Sequence, residues 1–552
     1  MSSSTPPAQR PHGLLFLSGF DEIQEYYMES AVRPFLGWLD HFFDLHTVSP
    51  VGDEEVRETV ETHAPEIILA VDFNNGIRIR CNPEVLRATA TAAGIPIAVV
   101  TLADGHEPAR TDFIHTLELL QPDIIFAKLT NKREMLGKWG AKTAIVPPFA
   151  SKGVFKDYGL EKSIPIAILG DGFDDDGHSN RYPWRRAIAP VIRRHFPSFS
   201  APRPKAQSFH KYVGAEYAKL LNRSQFALNC GASFHVITKK ALEIPASGCC
   251  MIAERIPVIE QMGFVDMENC VMADASNAVE KLTALFADPD RIDRITRAGQ
   301  ELVQQQHSIE ARAHIADWLR TWQSLTADER IQMRLHQPSI LSAPTYVQAG
   351  AEELPHYSAN SPFSRCVNRC FHALTPDAFD LPEARKQFDQ ACVYYKGTPD
   401  LLMAHTLLDL LDPKSTGEAA YIEANRFVQQ ALHKGAARPD PILLSLLLLA
   451  DAKVSGQQSP SPVAYAFPDL RGTWLDHTRA ALNLPAADSS AYQAFSGTPL
   501  ANWSEDQARR TIDSIVSSFP KPPSSEKPTP RTEKASAAPA PKPSLIARLL
   551  RR

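Results

Sequence analysis

Short, almost wholly apolar runs are the strongest constraint on how this chain can fold. Residues 13–18 (GLLFLS), 66–71 (EIILAV), 95–102 (IPIAVVTL), 123–127 (DIIFA) and 143–146 (TAIV) each read as one buried strand. A strand that is apolar on both faces must be covered on both faces, which a parallel sheet flanked by helices provides. The intervening stretches suit those helices: one is expected over 83–93, with Gly94 at its stop, and another runs up to Phe43. The pattern restarts after Pro147-Pro148. Strands are expected at 165–169 (ending at Gly170), 226–229 and 249–253, with helices at 184–195, 239–247, 276–287 and 291–305. The expected fold is therefore α/β, with two Rossmann-like domains at 13–148 and 149–325 facing a cleft. Open α/β sheets bind ligands in such a cleft, beyond the carboxyl ends of their strands.

Strand patterns stop at about residue 340, and a helical domain is expected over 340–515. Pro399-Asp400 and Pro439-Asp440 are 40 residues apart, as are Ala391 and Ala431. That offset suggests degenerate tetratricopeptide-like units, with a small irregular helical domain as the alternative. Residues 1–12 are polar and carry no secretory signal, so they and the Pro/Ala/Lys-rich tail at 519–552 are expected to be disordered. From Pro520 the tail has eight prolines, eight Lys/Arg and two Glu, a local charge of +6. Its last residues, Leu545 to Arg552, form a short basic amphipathic segment suited to a weak membrane-surface or protein contact. A cytoplasmic protein, peripheral at most to the inner membrane face, fits these features. The whole chain carries 58 basic and 63 acidic residues, which argues against nucleic acid as the partner. Its eight cysteines include no C-x-x-C pair, so reduced thiols are expected rather than a disulfide scaffold or a zinc site.

The chemistry concentrates in the segment from Lys239 to Glu254, KKALEIPASGCCMIAE. Here a helix start with two lysines carries an acid one turn in, then a glycine stop and a buried strand. Lys239 and Lys240 add positive charge where a helix N-terminus favours a diphosphate. Glu243 can accept hydrogen bonds from ribose hydroxyls, or it is simply a solvated helix acid. Gly248 lets the chain turn from helix to strand.

This segment resembles the donor-site segment of the CgeB-like (spore maturation protein) glycosyltransferases, which have the GT-B fold. Gly263-Phe264, Asn269 to Met272, Ala287 to Asp290, Arg297-Ala298-Gly299, His307 and Arg312 resemble the family's downstream text in order. Upstream, Pro165 to Gly170, then Arg181 to Arg186 (RYPWRR), and Tyr217 to Ser224 resemble the opening of its second half. The resemblance implies transfer of a sugar from a nucleotide-sugar donor to a glycan, lipid-linked or protein acceptor. It places Glu243 on the ribose and offers Lys239, Lys240, Arg181 and Arg185 for the diphosphate. Gly170 would let a loop approach the donor. No metal or other cofactor is expected, since helix dipoles and basic side chains neutralise the leaving group in this fold.

Many retaining members of the wider fold carry an acid eight positions before the ribose Glu; here that position is His235. A histidine there is a candidate acid/base or phosphate ligand. His210 and Asp104 are further candidates. The acidic run Asp174-Asp175-Asp176, with Asp171, reads as a solvated turn rather than a metal site. Two rivals to the transferase reading remain: a catalytically inactive transferase-like scaffold that binds partners through its helices, and a nucleotide-sugar epimerase.

Overall fold

In a computed structural model of the chain, the described residues are 10–17, 32–72, 79–102, 110–128, 135–170, 182–201, 213–335, 361–395, 398–433, 439–455, 467–488, 492–494 and 496–519. They divide into two compact units. The first comprises 1–107, 116–365 and 392–396, and the second 108–115, 366–391 and 397–552. Asp104, Arg181, His210, the acidic run at 171–176 and the basic tail lie outside the described residues.

The first unit contains two all-parallel sheets. One is built from β1 (His12–Phe16), β2 (Asp44–Val48), β3 (Ile67–Asp72), β4 (Ile97–Thr101), β5 (Ile124–Ala127) and β6 (Thr143–Ile145), in the order β2-β1-β3-β4-β5-β6. Helices α1 (Arg33–Phe42), α2 (Asp53–His63), α3 (Pro83–Ala92) and α4 (Arg110–Leu120) connect its strands. Leu15, Leu69, Val100 and Phe126 face one core, while Leu14, Ile68, Val99 and Ile125 are equally buried on the alternate positions. Burial on both faces is what the unbroken apolar runs require.

The second sheet contains β7 (Ile164–Leu169), β8 (Ser198–Ala201), β9 (Ser224–Asn229), β10 (Cys250–Ala253) and β11 (Val271–Met272), in the order β11-β10-β9-β7-β8. Its helices are α5 (Pro183–His195), α6 (Gly214–Asn222), α7 (Lys240–Ala246), α8 (Pro257–Gln261), α9 (Ala278–Phe286) and α10 (Pro289–Gln306). Gly299 of α10 is required by packing, because a Cβ there would run into the Asn269 carbonyl. The two Rossmann-like halves expected from the strand runs are thus both present.

After α10 the chain returns to the first sheet. Helix α11 (His314–Ser324) inserts Ile315, Trp318, Leu319 and Trp322 into the core that already contains Leu15, Leu69 and Phe126, and α12 (Ala327–Leu335) follows. Buried Arg312 fixes this return. Its guanidinium donates to the carbonyls of Pro147 (3.0 Å), Pro148 (3.0 Å) and Gln306 (2.9 Å) and to His307 Nδ1 (2.8 Å). Because arginine only donates, His307 must accept at Nδ1 and donate from Nε2 to the Met262 carbonyl at 2.8 Å. That ring is therefore neutral, and burial beside Arg312 pushes its pKa down to about 4.

Helices dominate the remainder: α13 (Pro362–Ala373), α14 (Leu381–Tyr394), α15 (Pro399–Leu411), α16 (Glu418–His433), α17 (Pro441–Ser455), α18 (Thr473–Ala481) and α19 (Glu505–Ser517). Within the second unit, α17 packs against α15, α16, α18 and α19, and every residue from Ile442 to Ala450 is buried. A helix that is apolar all round is a central core helix. Its last turn places Lys453 Nζ on the carbonyls of Asp409, Leu410 and Asp412 at 3.0–3.1 Å, at the C-terminal end of α15. No helix among the described residues is long and apolar enough to cross a membrane.

Candidate active site

Residues that directly follow parallel strands cluster into one polar site. Gly170 follows β7, Gly231 lies two residues beyond β9, Glu254 follows β10, and Lys128 follows β5 of the other sheet. Strand ends in parallel sheets leave the next residues projecting into the crevice.

Gly170 has φ +102°, a conformation L side chains rarely adopt. A Cβ there would lie 2.5 Å from Lys240 Nζ and 3.1 Å from Arg185 Nη1. The glycine thus makes room for two cations. Lys240 Nζ also donates to the Leu169 carbonyl. Arg185 is 3% exposed, stacks its guanidinium on the Tyr182 ring at 4.6 Å and reaches Cys230 Sγ at 3.2 Å.

Glu243 sits in the first turn of α7 with three lysines around it. Burial raises its pKa, and Lys239, Lys240 and Lys128 oppose that rise. The lysines feel the same enclosure. Lys239 is lowered by burial, with Glu243 opposing. Lys128 is lowered well below the usual lysine range by burial and by Lys239. One carboxylate therefore faces three ammonium groups, one of which comes from the first sheet. Fully ionised, the cluster has a net charge of +2.

His235 lies beside this cluster. It closes a one-turn 3-10 helix, Ala232–Phe234, in the left-handed conformation (φ 53°), and Ala232 also has positive φ at 58°. Two non-glycine residues with positive φ in four positions mark a locally strained loop. The imidazole Nε2 is 3.8 Å from Glu254 Oε1, and Glu254 Oε2 accepts the Gly231 N–H at 2.9 Å. Burial, with Arg365 adding to it, pushes His235 down to about 4, whereas burial pushes Glu254 up to about 7. At neutral pH the histidine is uncharged and the acid is close to half-protonated. Asn229 Nδ2, at the end of β9, and Ser233 Oγ, on this loop, are buried and find no hydrogen-bond partner among the described residues.

Of the residues singled out from the sequence, Glu243, Lys239, Lys240, Gly170, Arg185 and His235 therefore share one neighbourhood. Gly248 does not. It turns the chain at the far end of α7 (φ +67°), where its carbonyl accepts from Lys162 Nζ at 2.5 Å and its Cα faces Asn222 and Asp157. The helix itself has only seven residues, and Lys239 at its N-cap supplies no side-chain cap. Sequence reasoning missed Lys128 and gave Glu254 no role. Their positions immediately after the buried runs DIIFA and CCMIA were the available signal.

Comparison with known proteins bears on the second sheet. Residues 160–317 match the family model described as Glycosyl transferase-like. No curated protein matches the chain. Among solved structures, the chain is similar to Anabaena HepE in complex with UDP-glucose (11% identity, 56% of this chain and 99% of that chain, TM-score 0.39). It is also similar to sucrose-phosphate synthase from Thermosynechococcus elongatus (12% identity, 57% and 99%, TM-score 0.32) and to S. aureus MnaA in its UDP co-structure (11% identity, 60% and 100%, TM-score 0.30).

Proposed function

We propose that this protein is a glycosyltransferase of the GT-B, CgeB-like type that takes its sugar from a nucleoside diphosphate sugar. The observation that carries the reading is the convergence of Lys128, Lys239 and Lys240 on Glu243 beside Gly170 and Arg185. A diphosphate supplies the negative charge that three crowded ammonium groups and one carboxylate lack, and Glu243 accepts from the ribose hydroxyls. In the reaction the bond from the sugar's anomeric carbon to the diphosphate oxygen breaks. A bond to an acceptor hydroxyl forms, and the hydroxyl proton leaves to a base. The leaving diphosphate is held by the lysines and Arg185. Glu254, whose pKa near 7 suits proton transfer at neutral pH, serves with neutral His235 as the acid/base pair. The helical unit selects the acceptor.

The test is a thermal-shift screen of the full chain against UDP, GDP, dTDP, CMP and their common sugars, with Glu243→Ala alongside. Ligand at 100 times its dissociation constant adds about 2.7 kcal/mol of stability. A shift specific to one base, reduced in Glu243→Ala, supports the transferase. A folded chain that shifts with no nucleotide is the scaffold instead. A chain that interconverts the donor sugar with no acceptor present is an epimerase.

A further inference from the structure

Three histidines meet at the far edge of the first sheet. His12 opens β1, His46 lies on the edge strand β2, and His63 is in the last turn of α2. One ring nitrogen from each lies within 4.8 Å of the other two. The ring centroids are 5.0 Å apart for His12 and His46, 4.8 Å for His46 and His63, and 6.3 Å for His12 and His63. His12 Nε2 is buried and finds no hydrogen-bond partner among the described residues. A buried, unpartnered ring nitrogen in a native core calls for a partner. The backbone holds His12 in place: its N–H donates to Glu66 Oε1 at 3.0 Å, and Glu66 Oε2 accepts from Gln323 at 2.7 Å.

We propose that His12, His46 and His63 bind one divalent transition-metal ion of the Zn2+ class, with a fourth position for water. Imidazole sets select Zn2+, Cu2+ or Ni2+ over Mg2+ and Ca2+, which take oxygen ligands. Zn–N bonds of about 2.0–2.1 Å in a tetrahedron put ligand nitrogens about 3.4 Å apart, so small side-chain rotations close the set. The last turn of α2 adds a helix C-terminus, which favours a cation. Bound metal ties β1, the edge strand β2 and α2 together. The site is three strands away from β5, whose C-terminal end carries Lys128, so it is independent of the donor site. Residues 12, 46 and 63 are too scattered for sequence spacing to reveal it.

The experiment titrates Co2+, then Zn2+, into the chelator-stripped full chain. The expected result is one Co2+ per chain, with the visible bands of four-coordinate cobalt, no thiolate-to-cobalt charge-transfer band, displacement by Zn2+ and a raised melting temperature. His46 is exposed, so His46→Ala should fold, and it should weaken binding by at least about 100-fold, beyond the 10–100-fold of losing an outer-shell partner. His41→Ala, on the neighbouring exposed turn, should leave binding unchanged. Failure of the wild-type chain to bind one metal, a thiolate band, or undiminished binding in folded His46→Ala overturns the proposal.

Discussion

Replacing Glu243 separates its two roles. Its carboxylate neutralises part of the Lys128, Lys239 and Lys240 cluster, and it accepts from the ribose. A hydrogen bond to a charged group is worth about 1.5–3 kcal/mol, or roughly 10–150-fold in affinity. Glu243→Ala removes that acceptor but leaves the cluster more positive, which favours the diphosphate, so the net loss for a nucleoside diphosphate falls at the lower end of the range. The cycle between this variant and a 2′,3′-dideoxy nucleotide isolates the ribose contact. Wild type should lose about 10–150-fold on going to the dideoxy ligand, and Glu243→Ala should lose little. Glu243→Gln, which keeps an acceptor and drops the charge, should retain about half of that preference in free energy, because a neutral hydrogen bond is worth roughly half a charged one. Calorimetric titration of both ligands against the three proteins measures this. A coupling energy below about 0.5 kcal/mol would refute the placement of ribose on Glu243.

Three further outcomes follow from named contacts. Gly170→Ala forces a Cβ against Lys240 and Arg185 at φ +102°, so nucleotide binding should fall by about tenfold or more while the strained backbone costs about 1–3 kcal/mol in melting measurements; unchanged binding would show that the glycine serves only the turn. Glu254 holds its proton more tightly when folded than its ordinary value of 4.5 allows, so wild type loses stability as pH rises from there to about 7. Glu254→Gln lacks that loss, and its stability relative to wild type should rise across the same window by up to about 3 kcal/mol; a difference that does not vary with pH sinks the argument. Trp318 is fully buried against Trp322, with ring centroids 5.3 Å apart, and its indole N–H finds no partner among the described residues. Trp318→Ala should therefore cost about 3–5 kcal/mol in denaturant unfolding and Trp318→Phe markedly less, and equal costs would show that packing is not what holds α11 on the first sheet.

Much of the fold is legible because buried parallel strands announce themselves as apolar runs. Two of the edge strands do not. Asp44–Val48 and Ser198–Ala201 are half-exposed and mix polar with apolar residues, so the sequence shows no apolar run there. The lysines and acid at 239–243 are visible in sequence as one charged helix start. The reach of Lys128 from the other sheet is not, because a lysine after a strand looks like any solvated lysine until the topology brings it to the crevice. The pairing of His235 with Glu254 likewise depends on a left-handed loop that no local pattern signals.

Calorimetric titration of a nucleoside diphosphate into the full chain, in two buffers of different ionisation enthalpy and against Lys128→Ala, tests the central claim most directly. Burial holds Lys128 and Lys239 below their ordinary pKa, so a bound diphosphate should draw protons onto them. The account predicts one nucleotide per chain, proton uptake seen as a buffer-dependent enthalpy, and weaker binding of the monophosphate. In Lys128→Ala both the uptake and the affinity should drop. A folded chain that binds no nucleoside diphosphate, or binds it equally well without Lys128, would contradict it.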